Sequence, residues 1–290
     1  MSAFASRAKT TLASGLVAGL LCAGGAAGVA PAAAQGAATP NRPDFAPSSG
    51  VGWLAAGTEF IAMPTGPHPV ASDKAHPYVP NNTGQQPTFR VADLDNPILQ
   101  PWVVAALKKV NERTLSGKDS FPPQVRCWPL GVPAFVLYPA QPVYFVQTPT
   151  EVLMTWQADH MVRRVFLTDK HSANVKPSWF GESIGHYEGG DTLVVDTIGL
   201  NTRTFVDNYR TPHTDKLHVV ERFKLAPDAK SIEVTLTVED PGAFTMPWSA
   251  MQRYRRVEPG PMVEATCVEG NFNYFNFDLE PLPQADKPDF

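Results

Sequence analysis

The sequence predicts a mainly β protein, an antiparallel barrel or a strongly bent sheet, with one N-terminal helix and a long proline-rich N-terminal arm. Three observations carry this. After Pro133 the apolar residues alternate with polar ones or gather in short β-branched runs, which is strand periodicity. The runs are separated by turn chemistry such as Glu188-Gly189-Gly190-Asp191, Pro227-Asp228, Asp240-Pro241-Gly242 and Pro259-Gly260-Pro261, and connections this short make neighbouring strands antiparallel. Proline makes up 29 of 290 residues, about twice its usual ~5% share, which discourages long helices. A hydrophobic content of 43% with 18% charged positions supplies a real core and excludes a disordered chain.

Taken in order, Arg7 and Lys9 precede an apolar Ala/Gly/Leu stretch from Thr11 to Ala30, followed by Pro31 and Ala32-Ala33-Ala34. This is the order of a secretory signal peptide, residues 1–34, cut near Ala34, and it places the mature chain outside the cytoplasm, secreted or periplasmic. No later window is long and apolar enough for a membrane span. Cleavage removes two cations and no anion, so the net charge falls from -4 to -6, a sign that argues against a nucleic-acid partner. Cys22 leaves with the signal. Cys127 and Cys267 remain, an even pair in an oxidising compartment, and a disulfide is expected between them. Closing that loop is worth ~4 kcal/mol in the chain-entropy model.

Residues 35–95 are rich in Pro, Gly, Asn and Ser and read as an extended arm on a body, pinned by Trp53, Leu54, Phe60 and Ile61. The domain proper is expected over 96–280, with a tail at 281–290. It opens with a helix from Asn96 or Pro97 to Leu115, because Ile98, Leu99, Trp102, Val103, Ala106, Leu107 and Val110 recur three and four apart. A proline-rich connector to Pro133 carries Cys127 and Trp128. Nine strand candidates follow: Phe135 to Tyr138, Val143 to Thr148, Glu151 to Gln157, Met161 to Thr168, Thr192 to Thr197, Lys216 to Phe223, Ser231 to Glu239, Met251 to Val257 and Val263 to Cys267. A two-sheet sandwich is the competing arrangement. Phe272, Tyr274, Phe275 and Phe277 read as a last strand or a plug.

The stretch from Trp179 to Thr197, with Gly181, Ser183, Gly185, Glu188 and Asp191 in fixed places, resembles the signature of a large, mostly uncharacterised family of secreted bacterial proteins. The stretches Pro212 to Phe223 and Val238 to Trp248 fit the same family, as do the residues around Cys127 and Cys267. The resemblance spans roughly 96–278 and brings no activity with it. Two departures stand out: Tyr187 occupies a position that is usually Trp, and Gly189-Gly190 replaces a single glycine, lengthening the turn after Glu188.

Several constellations could carry chemistry. Gly181, Ser183 and Gly185 match G-x-S-x-G, but a nucleophile elbow needs a strand before the serine and a helix after it, and neither is foreseen here. His160, His171, His186, His213 and His218 crowd among carboxylates without H-x-H or H-E-x-x-H spacing, so a metal-dependent enzyme is an alternative to ordinary hydrogen-bonding histidines. In the strand from Leu217, alternation places Leu217, Val219, Glu221 and Phe223 on one face and His218, Val220 and Arg222 on the other. An inward Glu221 is either an ion pair bracing the sheet, with Arg163 or Arg253 as partner, or a general acid or base facing a ligand. His218 and His213 are the acid-base candidates, supported by Glu221 and Asp196. Arg222, Tyr187, Trp179, Trp156 and Trp248 are the substrate-binding candidates.

Together these expectations describe a lipocalin-like barrel. Its function is expected to be cofactor-independent acid-base chemistry, as a lyase, isomerase or hydrolase, on a small apolar, aromatic or glycosidic molecule. The alternative is a non-catalytic periplasmic protein that binds such a molecule; the same fold supports both.

Overall fold

The computed structural model describes residues 41–79, 90–116, 127–138 and 141–266. All described residues belong to one compact unit. The expected export signal, Cys267 and the terminal aromatic run lie outside the described residues.

The protein is mainly β. Ten strands form one sheet: β1 (Gly52–Ala55), β2 (Ile61–Ala62), β3 (Val143–Gln147), β4 (Glu151–Trp156), β5 (Val162–Phe166), β6 (Glu182–Glu188), β7 (Thr192–Ile198), β8 (His218–Leu225), β9 (Ser231–Glu239) and β10 (Trp248–Val257). Their hydrogen-bonded order is β1-β3-β4-β5-β6-β7-β8-β9-β10-β2, and β1 also pairs with β10, so the strand order is circular. β1 and β2 share one edge of β10: Gly52 to Ala55 face Val257 to Tyr254, while Ile61 and Ala62 face Met251 and Ala250. Adjacent pairs are antiparallel except β5 and β6, which run parallel through Val165 with Ser183 and Phe166 with Ile184 after the long link 167–181.

The one helix among the described residues, α1 (Pro101–Leu115), starts later than its apolar periodicity suggests. Pro101 occupies the first helical turn, and the residue before a proline is driven out of the helical region; Gln100 accordingly sits at φ -65°, ψ 149°. Ile98 and Leu99 instead line up with Thr245 and Phe244. The helix buries Val103, Leu107, Asn111 and Thr114. Asn111 uses its side-chain amide as a short piece of strand, accepting from the Ala92 N–H at 2.8 Å and donating to the Ala92 carbonyl at 2.9 Å.

Four other expectations need correction. The Phe135 to Tyr138 run is a 3-10 turn, Ala134–Leu137, in which every residue is buried; a short, wholly apolar run carries no periodicity to distinguish the two. Residues 263–266 form no strand. Residues 35–95 supply β1 and β2, so part of the expected arm is built into the sheet. The resemblance motif itself holds β6, hidden by its glycines. A Cβ on Gly185 would stand 2.6 Å from the Val194 carbonyl oxygen, and one on Gly181, at φ +64°, would stand 2.3 Å from that of Ile198. These glycines let β6 lie close against β7, which gives G-x-S-x-G a packing reason.

Alternation sorts the strands as pleating requires: Ile232, Val234, Leu236 and Val238 of β9 are buried, and the residues between them are exposed or half-buried. Three indoles, Trp53, Trp156 and Trp248, are fully buried. Trp53 donates from Nε1 to the Phe45 carbonyl at 2.8 Å, and Phe135 packs on Trp156 and Phe180 at ring separations of 6.0 and 5.9 Å. The gap among Phe135, Val143, Phe145, Phe223, Ile232 and Tyr254 leaves no room for even a water molecule.

Candidate functional site

The predicted catalytic residues occupy three separate places. Glu221 points into the core, as the alternation of β8 requires, and meets Arg163 of β5; both side chains are 0% exposed. Arg163 donates from Nη1 to Glu221 Oε1 at 3.1 Å, from Nη2 to Glu221 Oε2 and to Thr197 Oγ1, the latter at 2.9 Å, and from Nε to Ser183 Oγ at 3.3 Å. Ser183 and Thr197 bond each other at 2.8 Å. The cluster satisfies a buried charge pair on four strands, β5 to β8, and seals the Ser183 hydroxyl away from any substrate. Burial, and then the Glu221 charge, push the nearby Tyr254 hydroxyl well above its ordinary range.

His213 lies in the segment leading to β8 and is 3% exposed. Its Nδ1–H donates to the Thr214 carbonyl at 2.8 Å, and its Nε2 accepts from the Thr204 hydroxyl at 2.8 Å. Burial lowers its pKa, so the ring is a neutral, fully bonded strut.

His218 and Asp196 do come together, on the outer face of the sheet. His218 Nε2 lies 3.0 Å from Asp196 Oδ1, and His171 Nε2 reaches the same oxygen at 3.0 Å. His171 Nδ1 lies 3.0 Å from Glu182 Oε1, and Ser172 donates to Glu182 from its N–H at 2.7 Å and from its hydroxyl. Those bonds hold the Glu182 carboxyl below its usual range, the Ser172 hydroxyl contributing most. Both His171 contacts are hydrogen bonds only when both ring nitrogens carry a proton. Among the described residues no group of three or more His, Cys, Asp or Glu is arranged to hold a metal ion. This cluster lies on an open surface and on the opposite face of β8 from Glu221.

The substrate-binding candidates are dispersed. Arg222 is exposed and paired with Glu188, whose carboxyl it holds down together with His186. Tyr187 is half-buried and accepts from Gln147 Nε2 at 3.0 Å, Trp179 stacks on Trp128 at 5.7 Å, and Trp156 and Trp248 are core.

A cleft of about 750 Å³ opens elsewhere, within the ~300–1,000 Å³ range of small-molecule sites. It forms where the chain bulges out of the sheet between β1 and β2. The bulge is pinned by the Ala56 N–H donating to the Arg253 carbonyl at 2.7 Å and by Gln252 Nε2 donating to the Gly57 and Glu59 carbonyls at 3.1 and 3.3 Å. Phe60, Val70, Ile98 and Met246 give the cleft apolar walls, and Phe60 is braced edge-on against Trp248 at 5.7 Å. Glu59, Ser72 and Tyr209 converge on one side. The Tyr209 hydroxyl lies 2.7 Å from Ser72 Oγ. Arg90 Nε is 3.2 Å from Glu59 Oε1 but out of line, which leaves that buried oxygen without a hydrogen bond. Desolvation raises the Glu59 pKa against the opposing pull of Arg90 and Tyr209. The same burial, and then Glu59 itself, push the Tyr209 hydroxyl far up. An apolar cleft with a few convergent polar groups and a perturbed carboxyl is the form a ligand site takes.

None of the nine residues singled out from the sequence as catalytic or substrate-binding lines this cleft. All but Ala62 of its residues come from loops, where no periodicity marks them; the one available signal is a glutamate between Thr58 and Phe60 in an otherwise apolar, proline-punctuated stretch. Models of known protein families match no part of the chain, and a search of curated proteins finds no significant match.

Proposed function

We propose that this is an exported, lipocalin-like β-barrel protein that binds a small, largely apolar molecule in the cleft beside Glu59 and Tyr209. The observation that carries the reading is the cleft itself, about 750 Å³ with apolar walls and one polar side. The circular strand order supports the barrel, and the tightly filled interior directs the ligand to the cleft rather than to a central cavity. The resemblance to secreted bacterial proteins and the N-terminal charge and apolar pattern support export. The Cys127 to Cys267 bridge read from the sequence belongs to the same reading, since an exported chain folds where thiols oxidise.

A second reading, cofactor-independent proton transfer, is favoured by the raised pKa of Glu59 beside two hydroxyls. In that reading Glu59, rather than His218 or Glu221, meets the substrate.

The test uses N-phenyl-1-naphthylamine, a neutral apolar dye whose fluorescence rises on burial. The expected result is saturable binding that weakens about tenfold or more in Ala62→Trp and Ala71→Trp, since both positions line the cleft and are exposed, so the new indoles fill it without entering the core. Binding left unchanged by both substitutions, or no binding to the parent protein, overturns the reading.

A further inference from the structure

One hydroxyl proton in the cleft is left over. The Tyr209 hydroxyl and Ser72 Oγ lie 2.7 Å apart, and both residues line the cleft. Two hydroxyls in one contact carry two protons and use only one of them. Neither has another acceptor among the described residues, and the remaining partner of Ser72 Oγ is a donor, the Tyr78 N–H at 3.2 Å. A phenol is the stronger donor of the two and an aliphatic hydroxyl the stronger acceptor, so Tyr209 gives and Ser72 receives. Burial keeps Tyr209 protonated and able to give. Ser72 Oγ then has both lone pairs filled, by Tyr209 and by the Tyr78 N–H, and can only donate. Each bond in such a chain strengthens the next, so the last O–H is the more polarised. Tyr209 is 2% exposed and Ser72 half-buried, which puts the spare proton on the residue that the cleft can reach. The backbone on either side holds Ser72 still: the Asp93 N–H donates to the Ala71 carbonyl and the Asp73 N–H to that of Val91, both at 2.9 Å.

We propose that the cleft selects a neutral hydrogen-bond acceptor, a ketone, ester or ether oxygen on an apolar or aromatic body, and that Ser72 donates to it. The inference rests on the cleft being the binding site and adds the polar group of the ligand. A ligand group that can only donate finds Ser72 Oγ already saturated. An anionic acceptor finds no counter-ion, because Asp93 and Asp95 line the cleft and no lysine or arginine does among the described residues. The walls of Phe60, Val70, Ile98 and Met246 take the body of the molecule.

Displacement of N-phenyl-1-naphthylamine by two isosteric probes tests the polar group alone: 1-acetylnaphthalene, and 1-isopropenylnaphthalene, in which a C=CH2 group replaces the carbonyl. Ser72→Ala is expected to weaken the ketone about fivefold, the size of one neutral hydrogen bond, and to leave the hydrocarbon within about twofold. Comparing each probe with itself across the substitution cancels the different costs of taking ketone and hydrocarbon out of water. Tyr209→Phe removes the phenol proton but leaves that of Ser72, so there the ketone is expected to lose no more than about twofold. 1-Naphthoate, the anionic acceptor, is expected to bind more weakly than the ketone. The proposal is overturned, while the cleft stands, by any of four results: a ketone that fails to displace the dye, no loss or an equal loss for both probes in Ser72→Ala, a ketone loss in Tyr209→Phe as large as in Ser72→Ala, or naphthoate binding tighter than the ketone. If the dye itself does not bind the parent protein, the cleft and the acceptor fall together.

Discussion

Replacing Glu221 by glutamine removes the negative half of the buried ion pair while leaving the shape of the side chain almost unchanged. The structure makes the consequence large. Glu221 and Arg163 are both 0% exposed, so the guanidinium left behind has no water to turn to. Stranding one member of a buried pair costs about 3–5 kcal/mol, and Arg163 keeps as compensation only its bonds to Ser183 and Thr197 and one to the glutamine carbonyl. The double variant Arg163→Met with Glu221→Leu behaves differently. It removes both charges, and Ser183 and Thr197 still bond each other at 2.8 Å, so it is expected to fall within about 1 kcal/mol of the parent or above it. Urea unfolding of the parent, Arg163→Met, Glu221→Leu and the double variant, with Glu221→Gln beside them, read as midpoints at constant slope, measures the coupling. A cost below about 1 kcal/mol for Glu221→Gln, or a double variant as unstable as the two singles combined, would show that the pair does not brace the sheet. Dye affinity in the cleft should be unchanged in whatever fraction of each variant is folded, because none of these residues lines it.

Two further outcomes are expected. Asp207 is 4% exposed, and burial pushes its carboxyl up to about 6, against bonds from Thr211 and Tyr209 that pull the other way. Because the folded value is raised, its contribution is fully present below pH ~4 and is lost as pH climbs through about 6, a span worth about 3 kcal/mol. Urea midpoints of the parent and Asp207→Asn measured from pH 4 to 7 should therefore diverge by an amount that changes with pH, and a constant difference refutes the assignment. The mature protein unfolded without reductant should weigh two hydrogens less than after reduction, and alkylation of two free thiols before reduction would remove the Cys127 to Cys267 bridge.

Much of the sheet was legible in the sequence because pleating writes itself as alternation. Ser231 to Glu239 was read with its final boundaries, and the inward face of β8, Glu221 included, followed from counting by twos. The structural option for Glu221, with Arg163 as partner, was one of the two open readings, and the geometry favours it. Periodicity failed where a stronger local rule intervened. Pro101 cut the helix short although Ile98 and Leu99 continued its apolar spacing, and the glycines of β6 hid a strand whose need was close approach rather than side-chain packing. The histidines looked like one constellation in sequence, yet His213 is a buried strut and His218 an outer-face partner of Asp196. The cleft was the least legible part, since loops that bring Glu59, Ser72 and Tyr209 together across about 150 residues leave no pattern in any one of them.

The placement of β1 has a consequence for the order in which the protein can be finished. Trp53 and its neighbours form the first strand of the sheet to be synthesised, yet they pair with β3 about 90 residues later and with β10 about 200 residues later. Until Tyr254 to Val257 are available, the edge of β1 that they cover stays open, and an open edge is a template for another chain. A chain shortened past Ala55 would keep every other strand and still expose two sticky borders. The segment made first is the keystone set last.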